Sequence, residues 1–211
     1  MRAVGNVDLN GGQALPAERV LGLYWNASAD EFCFNFKCPR VDAAVVNGTK
    51  IPTKREVLKL LMSLFDPLGF LAHFLIKGKI LFQQIWRTGL GWDDSLSEML
   101  MQSWKTWLAA LADASKMTIP RCYHPNLQVG TNIQLHTFVD ASEEAFAAVC
   151  YLRLEVDGGV AVSFVTAKTK VAPLKPLSIP RMELQAAVLG VRIAKIIKME
   201  LQLNVTECLL V

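Results

Sequence analysis

The stretch Gln134-Leu135-His136-Thr137-Phe138-Val139-Asp140-Ala141-Ser142, followed at once by Ala145-Phe146-Ala147-Ala148-Val149-Cys150-Tyr151, constrains the fold more than any other part of this chain. Two runs rich in β-branched and aromatic residues flank a short polar break, which is the pattern of two strands joined by a tight turn. The first run ends on Asp140, so the strand delivers a carboxylate to a sheet edge. Taken alone, such an acid is most simply a residue that turns or caps the strand end.

A second carboxylate answers it. In Ile179-Pro180-Arg181-Met182-Glu183-Leu184-Gln185-Ala186-Ala187-Val188-Leu189-Gly190, Pro180 stands where the first turn of a helix accepts proline. The pattern then continues as a helix to about Leu201. At about 100° per residue, Arg181, Gln185, Arg192, Lys195 and Gln202 share one side, and Glu183 falls within about 40° of Ala187, Gly190, Ala194 and Ile197. Small residues let a helix approach a sheet closely, so the expectation is a carboxylate set in that seam. An isolated charge there is costly and needs a hydrogen bond, an ion pair or a bound cation. A metal shared with Asp140 is the partner this pattern favours.

With Asp140 closing the first strand, further strands over Ala145 to Val156 and Val160 to Lys170, and then Arg181-Met182-Glu183-Leu184 with Ala186-Ala187, the chain resembles the first half of a type 1 ribonuclease H domain. The wider wording, from Val20-Leu21-Gly22-Leu23-Tyr24-Trp25-Asn26 through Ser63-Leu64-Phe65-Asp66-Pro67-Leu68-Gly69 to Ala167-Lys168-Thr169-Lys170-Val171-Ala172-Pro173, resembles the polyprotein of BEL/Pao-type retrotransposons. The resemblance implies an α+β chain in three parts. Residues 1–52 would be the end of a reverse transcriptase palm with its hairpin, 53–131 a helical thumb and connection, and 132–211 a C-terminally truncated RNase H-like mixed sheet with one packed helix.

The implied chemistry is hydrolysis of RNA in an RNA/DNA hybrid by two Mg²⁺ ions, with Asp140 and Glu183 as catalytic and metal-binding carboxylates. The family places a third acid at the end of the next strand, which here is Glu207-Cys208-Leu209-Leu210-Val211, so that acid falls beyond the sequence. Two carboxylates hold hard octahedral ions weakly, and the expectation is no nuclease activity from these residues alone.

Charge bears on the partner. Residues 159–200 carry seven Lys or Arg against Glu183 and Glu200, a balance of +5, while the whole chain is +3, leaving −2 elsewhere. Lys168, Lys170, Lys175 and Arg181 surround the expected site and suit a phosphate backbone, so nucleic acid and the rest of the polyprotein are the expected partners. Five cysteines at 33, 38, 122, 150 and 208 show no metal spacing, and their odd number points to a reducing compartment, while the resemblance implies an intracellular setting, cytoplasmic and particle-associated or nuclear. Cys122 and His124 lack a second ligand pair for zinc. The apolar run Leu68 to Ile76 is far short of the roughly 20 residues that a bilayer requires.

Met1 to Pro16 reads as a frayed end, and Arg19 to Asn26 with Glu31 to Lys37 as a hairpin turning at Asn26-Ala27-Ser28-Ala29-Asp30. Thr53-Lys54-Arg55-Glu56 is a capping box that starts a helix running to about Phe65, where Asp66-Pro67 ends it. Further helices are expected from about Gly69 to Thr88 and from Ser95 to Leu111, with Asp93 and Asp94 as N-terminal caps, and residues 113–131 as connection. Lys54, Lys77, Lys79 and Arg87 are candidates for contact with backbone phosphates. Trp92-Asp93-Asp94 precedes a helix instead of sitting on a strand-turn-strand, so it is not read as a polymerase site.

Two other function classes stand beside the enzyme. One is a non-catalytic module that binds nucleic acid or a protein. The other is an aspartic peptidase, which needs Asp-Thr/Ser-Gly loops, and Asp140-Ala141-Ser142 lacks the glycine.

Overall fold

The computed structural model describes residues 18–20 as backbone and residues 23–36, 38, 40–128 and 130–211. The segment Met1 to Pro16 and residues 21, 22 and 37 of the expected hairpin lie outside the described residues. Strands β1 (Glu18–Val20), β2 (Leu23–Asn26), β3 (Glu31–Cys33) and β4 (Thr118–Pro120) form one antiparallel sheet in that order. The hairpin therefore gains a partner from the 113–131 connection, which has a strand where only a linker was expected. Arg121 donates two hydrogen bonds to the Asp30 carboxylate across the end of this sheet, holding that carboxyl below its usual range.

Helix α1 (Ala43–Val46) is a single turn capped by Asp42, and α2 (Lys54–Ser63), α3 (Ala72–Arg87) and α4 (Glu98–Ala114) make the helical part. The capping box at α2 is complete: Thr53 Oγ1 accepts from Glu56 N–H, and the Glu56 carboxylate accepts from Thr53 N–H. The apolar stripes of these helices meet on Val57, Leu60, Leu81, Ile85, Trp104 and Trp107, and Trp107 Nε1 donates to the Phe74 carbonyl.

Two expectations fail here. Asp93 and Asp94 do not cap α4, whose N-cap is Ser97. Asp93 instead takes a two-pronged hydrogen bond from Arg55, and Asp94 accepts from Gly91 N–H. Lys54 is not available to a phosphate either. It is buried, donates to the Leu90 carbonyl at 2.8 Å, and stands 4.0 Å over the Trp86 ring. The carbonyl and the aromatic faces replace its lost hydration.

The second sheet follows the alternation in the sequence. Strands β5 (Asn132–Ala141), β6 (Ala145–Val156) and β7 (Gly159–Val171) form an antiparallel meander, α5 (Ile179–Glu200) crosses over, and β8 (Val205–Leu210) returns parallel to β5. The order is β7-β6-β5-β8, as a strand-helix-strand crossover beside its origin requires. Ile133, Leu135, Thr137, Leu152 and Leu154 point to one face, and Ile193 and Ile197 of α5 lie on it. At the other end of the helix, Met182 and Ala186 pack with Phe146, Val139 and Ala141. Helix α5 thus runs antiparallel to β5, and its first turns sit over the end of β5 that carries Asp140. Gly190 marks the closest approach, because a Cβ there would lie 2.5 Å from Val139 Cγ1. Among the described residues no helix is long and apolar enough to cross a membrane.

Candidate nucleic-acid interface and carboxylate pair

One end of the second sheet gathers the two carboxylates and the four cations that the sequence set around the expected site. It is formed by the last residues of β5, the first of β6, the last of β7 and the start of α5. Asp140 pairs across from Ala147, Lys168 from Ala148 and Lys170 from Phe146; Lys175 lies in the loop that leads to α5, and Arg181 and Glu183 on the first turns of that helix. All six are exposed. None of the four cations has a carboxylate within ion-pair distance among the described residues, so their charge is free to meet a phosphate.

The two carboxylates share this end without converging. Val139 and Ala141 face α5, so the pleat sends the Asp140 side chain to the opposite face, with Phe138 and His136. The Asp140 carboxylate accepts the N–H of Ala141 at 2.8 Å and no other hydrogen bond among the described residues. Glu183 was expected in the seam between helix and sheet, but the buried stripe of α5 is Met182, Ala186, Gly190, Ile193 and Ile197, and Glu183 stands exposed on its flank. Glu183 and the cations therefore lie on the α5 side of the sheet end, and Asp140 on the other. A ligand that touches all of them has to lie across the end of the sheet.

Magnesium is the cofactor that the resemblance implies, and the donor set tests it. Among the described residues no group of three or more His, Cys, Asp or Glu side chains is placed to hold a metal. Two solvated carboxylates on different faces do not fit a pair of hard cations, which need several carboxylates or substrate phosphates to stay bound. Glu143 and Glu144, at the tip of the β5–β6 turn, are exposed and outside any such cluster. Cys122 donates to the carbonyl of His124 and makes no metal pair with it.

The open face of the sheet carries a feature that spacing alone did not reveal. His136, Phe138 and Tyr151 continue to Phe164 and then to Phe70 of the helical part, each ring within 6.4 Å of the next. Their alternation with buried residues along β5 and β6 was the available signal.

A four-stranded mixed sheet with one antiparallel crossover helix, carrying an acid at the end of its first strand and another on the helix, defines the RNase H-like class. The Pao retrotransposon-like RNaseH-like domain matches residues 53–211, three quarters of the chain, and the chain belongs to that family. No curated protein matches it. Among solved structures, the foamy viral protease-reverse transcriptase dRH in complex with double-stranded DNA is similar over 90% of this chain and 30% of its own, at 12% identity and a TM-score of 0.50. The foamy viral protease-reverse transcriptase in complex with double-stranded DNA covers 92% of this chain and 36% of its own, at 10% identity and a TM-score of 0.45. The chain therefore spans about a third of the length of these structures. The first likeness shows the fold.

Proposed function

We propose that this chain is part of a BEL/Pao-type retrotransposon reverse transcriptase, and that its RNase H-like part engages RNA/DNA hybrids. The observation that carries the reading is the gathering of Lys168, Lys170, Lys175 and Arg181, none of them ion-paired among the described residues, around Asp140 and Glu183 at one sheet end. Each cation that neutralises a phosphate releases counterions, which gives affinity without sequence preference. The double-stranded DNA in the first foamy viral structure agrees with a nucleic-acid partner.

In the parent polyprotein the activity proposed is hydrolysis of the RNA strand, with Asp140 and Glu183 contributed by this chain. Magnesium, where a fuller carboxylate set holds it, would supply the activated water and the stabilised leaving oxygen. What these residues do on their own is bind and orient: the cations fix the backbone, and the N–H of Ala141 sets the rotamer of Asp140. The 211-residue chain is expected to bind hybrid and not to cleave it. The test is fluorescence anisotropy on a blunt RNA/DNA hybrid across salt, with a cleavage assay in Mg²⁺ or Mn²⁺. Lys168→Gln with Lys170→Gln should lower the slope of log K against log salt by about two. An unchanged slope would remove these residues from the interface.

A second reading is a non-catalytic nucleic-acid-binding module, and the placement of Asp140 on the face opposite α5, away from Glu183, favours it. In a longer polyprotein section that cleaves hybrid, Asp140→Asn and Glu183→Gln separate the two. Loss of cleavage with binding retained supports the catalytic reading, and unchanged cleavage supports the module.

A further inference from the structure

The strand at one border of the second sheet, β7, does not end in open solvent along its length. The carbonyl of Leu68, in the turn between α2 and α3, accepts the N–H of Ala167 at 2.9 Å and the hydroxyl of Thr166 at 2.7 Å. This turn is built to make that approach. The Asp66 carboxylate accepts the N–H groups of Gly69, Phe70 and Leu71, which folds the backbone around it. Gly69 has φ +79°, and any Cβ there would overlap the backbone of Ala167. Only glycine meets both demands. Phe70 then packs on Phe164, with ring centres 5.2 Å apart. Further along α3, Gln83 Nε2 donates to the Ala172 carbonyl at 2.6 Å.

These contacts lay α3 along β7 from Leu68 to Gln83, pointing it toward the sheet end that holds the cations and carboxylates. There an apolar groove of about 340 Å³ opens, in which Lys79 of α3 shares the wall with Val171 and Leu174, the latter adjoining Lys175 in the chain. Lys79 forms no ion pair among the described residues.

We infer that the turn Asp66–Leu71 is a clasp, in which Asp66 and Gly69 are positioning residues, that holds the helical part on β7 so that Lys79 joins Lys168, Lys170, Lys175 and Arg181 in one surface for an RNA/DNA duplex. The inference rests on the nucleic-acid reading above and adds the device that makes two structural parts act on one ligand. Without the clasp, Lys79 would be tethered by a flexible joint and its contact would carry the entropy of ordering that joint.

The experiment is a double-mutant cycle on hybrid binding by the full chain, with Gly69→Val and Lys79→Gln as its two members. In the otherwise unaltered protein, Lys79→Gln should lower the salt slope by about one and weaken binding several-fold at low salt. Gly69→Val should produce the same loss and make the linker between α2 and α3 a site of rapid limited proteolysis. In the Gly69→Val background, Lys79→Gln should then change nothing further. Equal losses from Lys79→Gln in both backgrounds would overturn the clasp while leaving the nucleic-acid reading intact. Absence of hybrid binding by the unaltered chain would overturn both. Should Gly69→Val fail to fold, Thr166→Val with Gln83→Leu removes two of the docking hydrogen bonds by milder means, and the same cycle decides on that background.

Discussion

The two faces of the β7-β6-β5-β8 sheet are made by the same strands and could hardly differ more in what they meet. On one, Leu135, Leu152 and Leu154 are fully buried beneath α5. On the other, Phe138 is 41% and Val162 66% exposed, and helical cover reaches only the β7 border through Phe70. Burial of a leucine contributes about 1.5–3 kcal/mol relative to leaving it exposed, so the first face holds the sheet together and the second contributes little. Asp140 belongs to the weak face and Glu183 to the flank of the helix on the strong one. Any chemistry that joins them happens at the sheet end, and substitutions of either carboxylate should therefore leave the fold largely unaltered.

The sharpest way to break this contrast is to truncate one residue on each face. Leu135→Ala should cost about 2–5 kcal/mol of unfolding free energy by denaturant titration, because the cavity it leaves lies beneath α5 and cannot collapse freely. Phe138→Ala should cost about 1 kcal/mol, mostly from lost ring contacts with His136 and Tyr151. Comparable losses for both would mean that the Phe138 face is covered in solution.

A smaller effect probes how closely α5 sits. Gly190→Ala adds a methyl 2.5 Å from Val139 Cγ1 and 3.1 Å from Thr137 and Leu210, all on β5 or β8. Alanine gains about 1 kcal/mol of helix propensity, but overpacking a tight seam costs about 1–3, so a net loss of about 1 kcal/mol is expected. A gain in stability would show that the helix has room to lift, and that the two faces are less unequal than they look.

How far the sequence alone revealed this arrangement depends on the range of the interaction that decides each element. The meander, α5 and the parallel return of β8 are written locally, in period-two and helical alternation and in the crossover rule. The pairing of β4 with β3 is not, since Thr118–Pro120 is a three-residue strand ending in proline whose partners lie 85 to 89 positions earlier in the chain. Asp93 and Asp94 have the composition of helix caps, yet Arg55, 38 positions away, takes Asp93. The face of Asp140 was legible in principle: Ile133, Leu135, Thr137 and Val139 set the inward phase, which puts residue 140 outward. Phe138 obscured it, because an aromatic on the outward phase makes Thr-Phe-Val look inward throughout. Glu183 was misplaced for a related reason. Small residues at Ala187 and Ala194 border the buried stripe without being its centre, and Met182, Ala186 and Ile193 set the true axis.

The smallest effect concerns the border where the two faces meet the helical part. Burial raises the Asp66 carboxyl above its ordinary value of 3.8, and the three N–H groups it accepts only partly offset this. The folded chain thus binds this proton more tightly than the unfolded chain does. Protonation at Asp66 contributes stability that is fully present below the unfolded value and is lost as pH rises through the raised folded one. Asp66→Asn keeps an oxygen to accept from the turn but has no proton to lose, so it serves as the reference. The stability of the unaltered chain relative to Asp66→Asn, from urea midpoints, should fall as pH rises from the ordinary carboxyl value of 3.8 through the raised folded one. A difference that stays flat or grows over that range would mean that the N–H bonds outweigh burial at Asp66. The turn would then hold an anion at no cost, and the weak face would have a firmer border than the strong face needs.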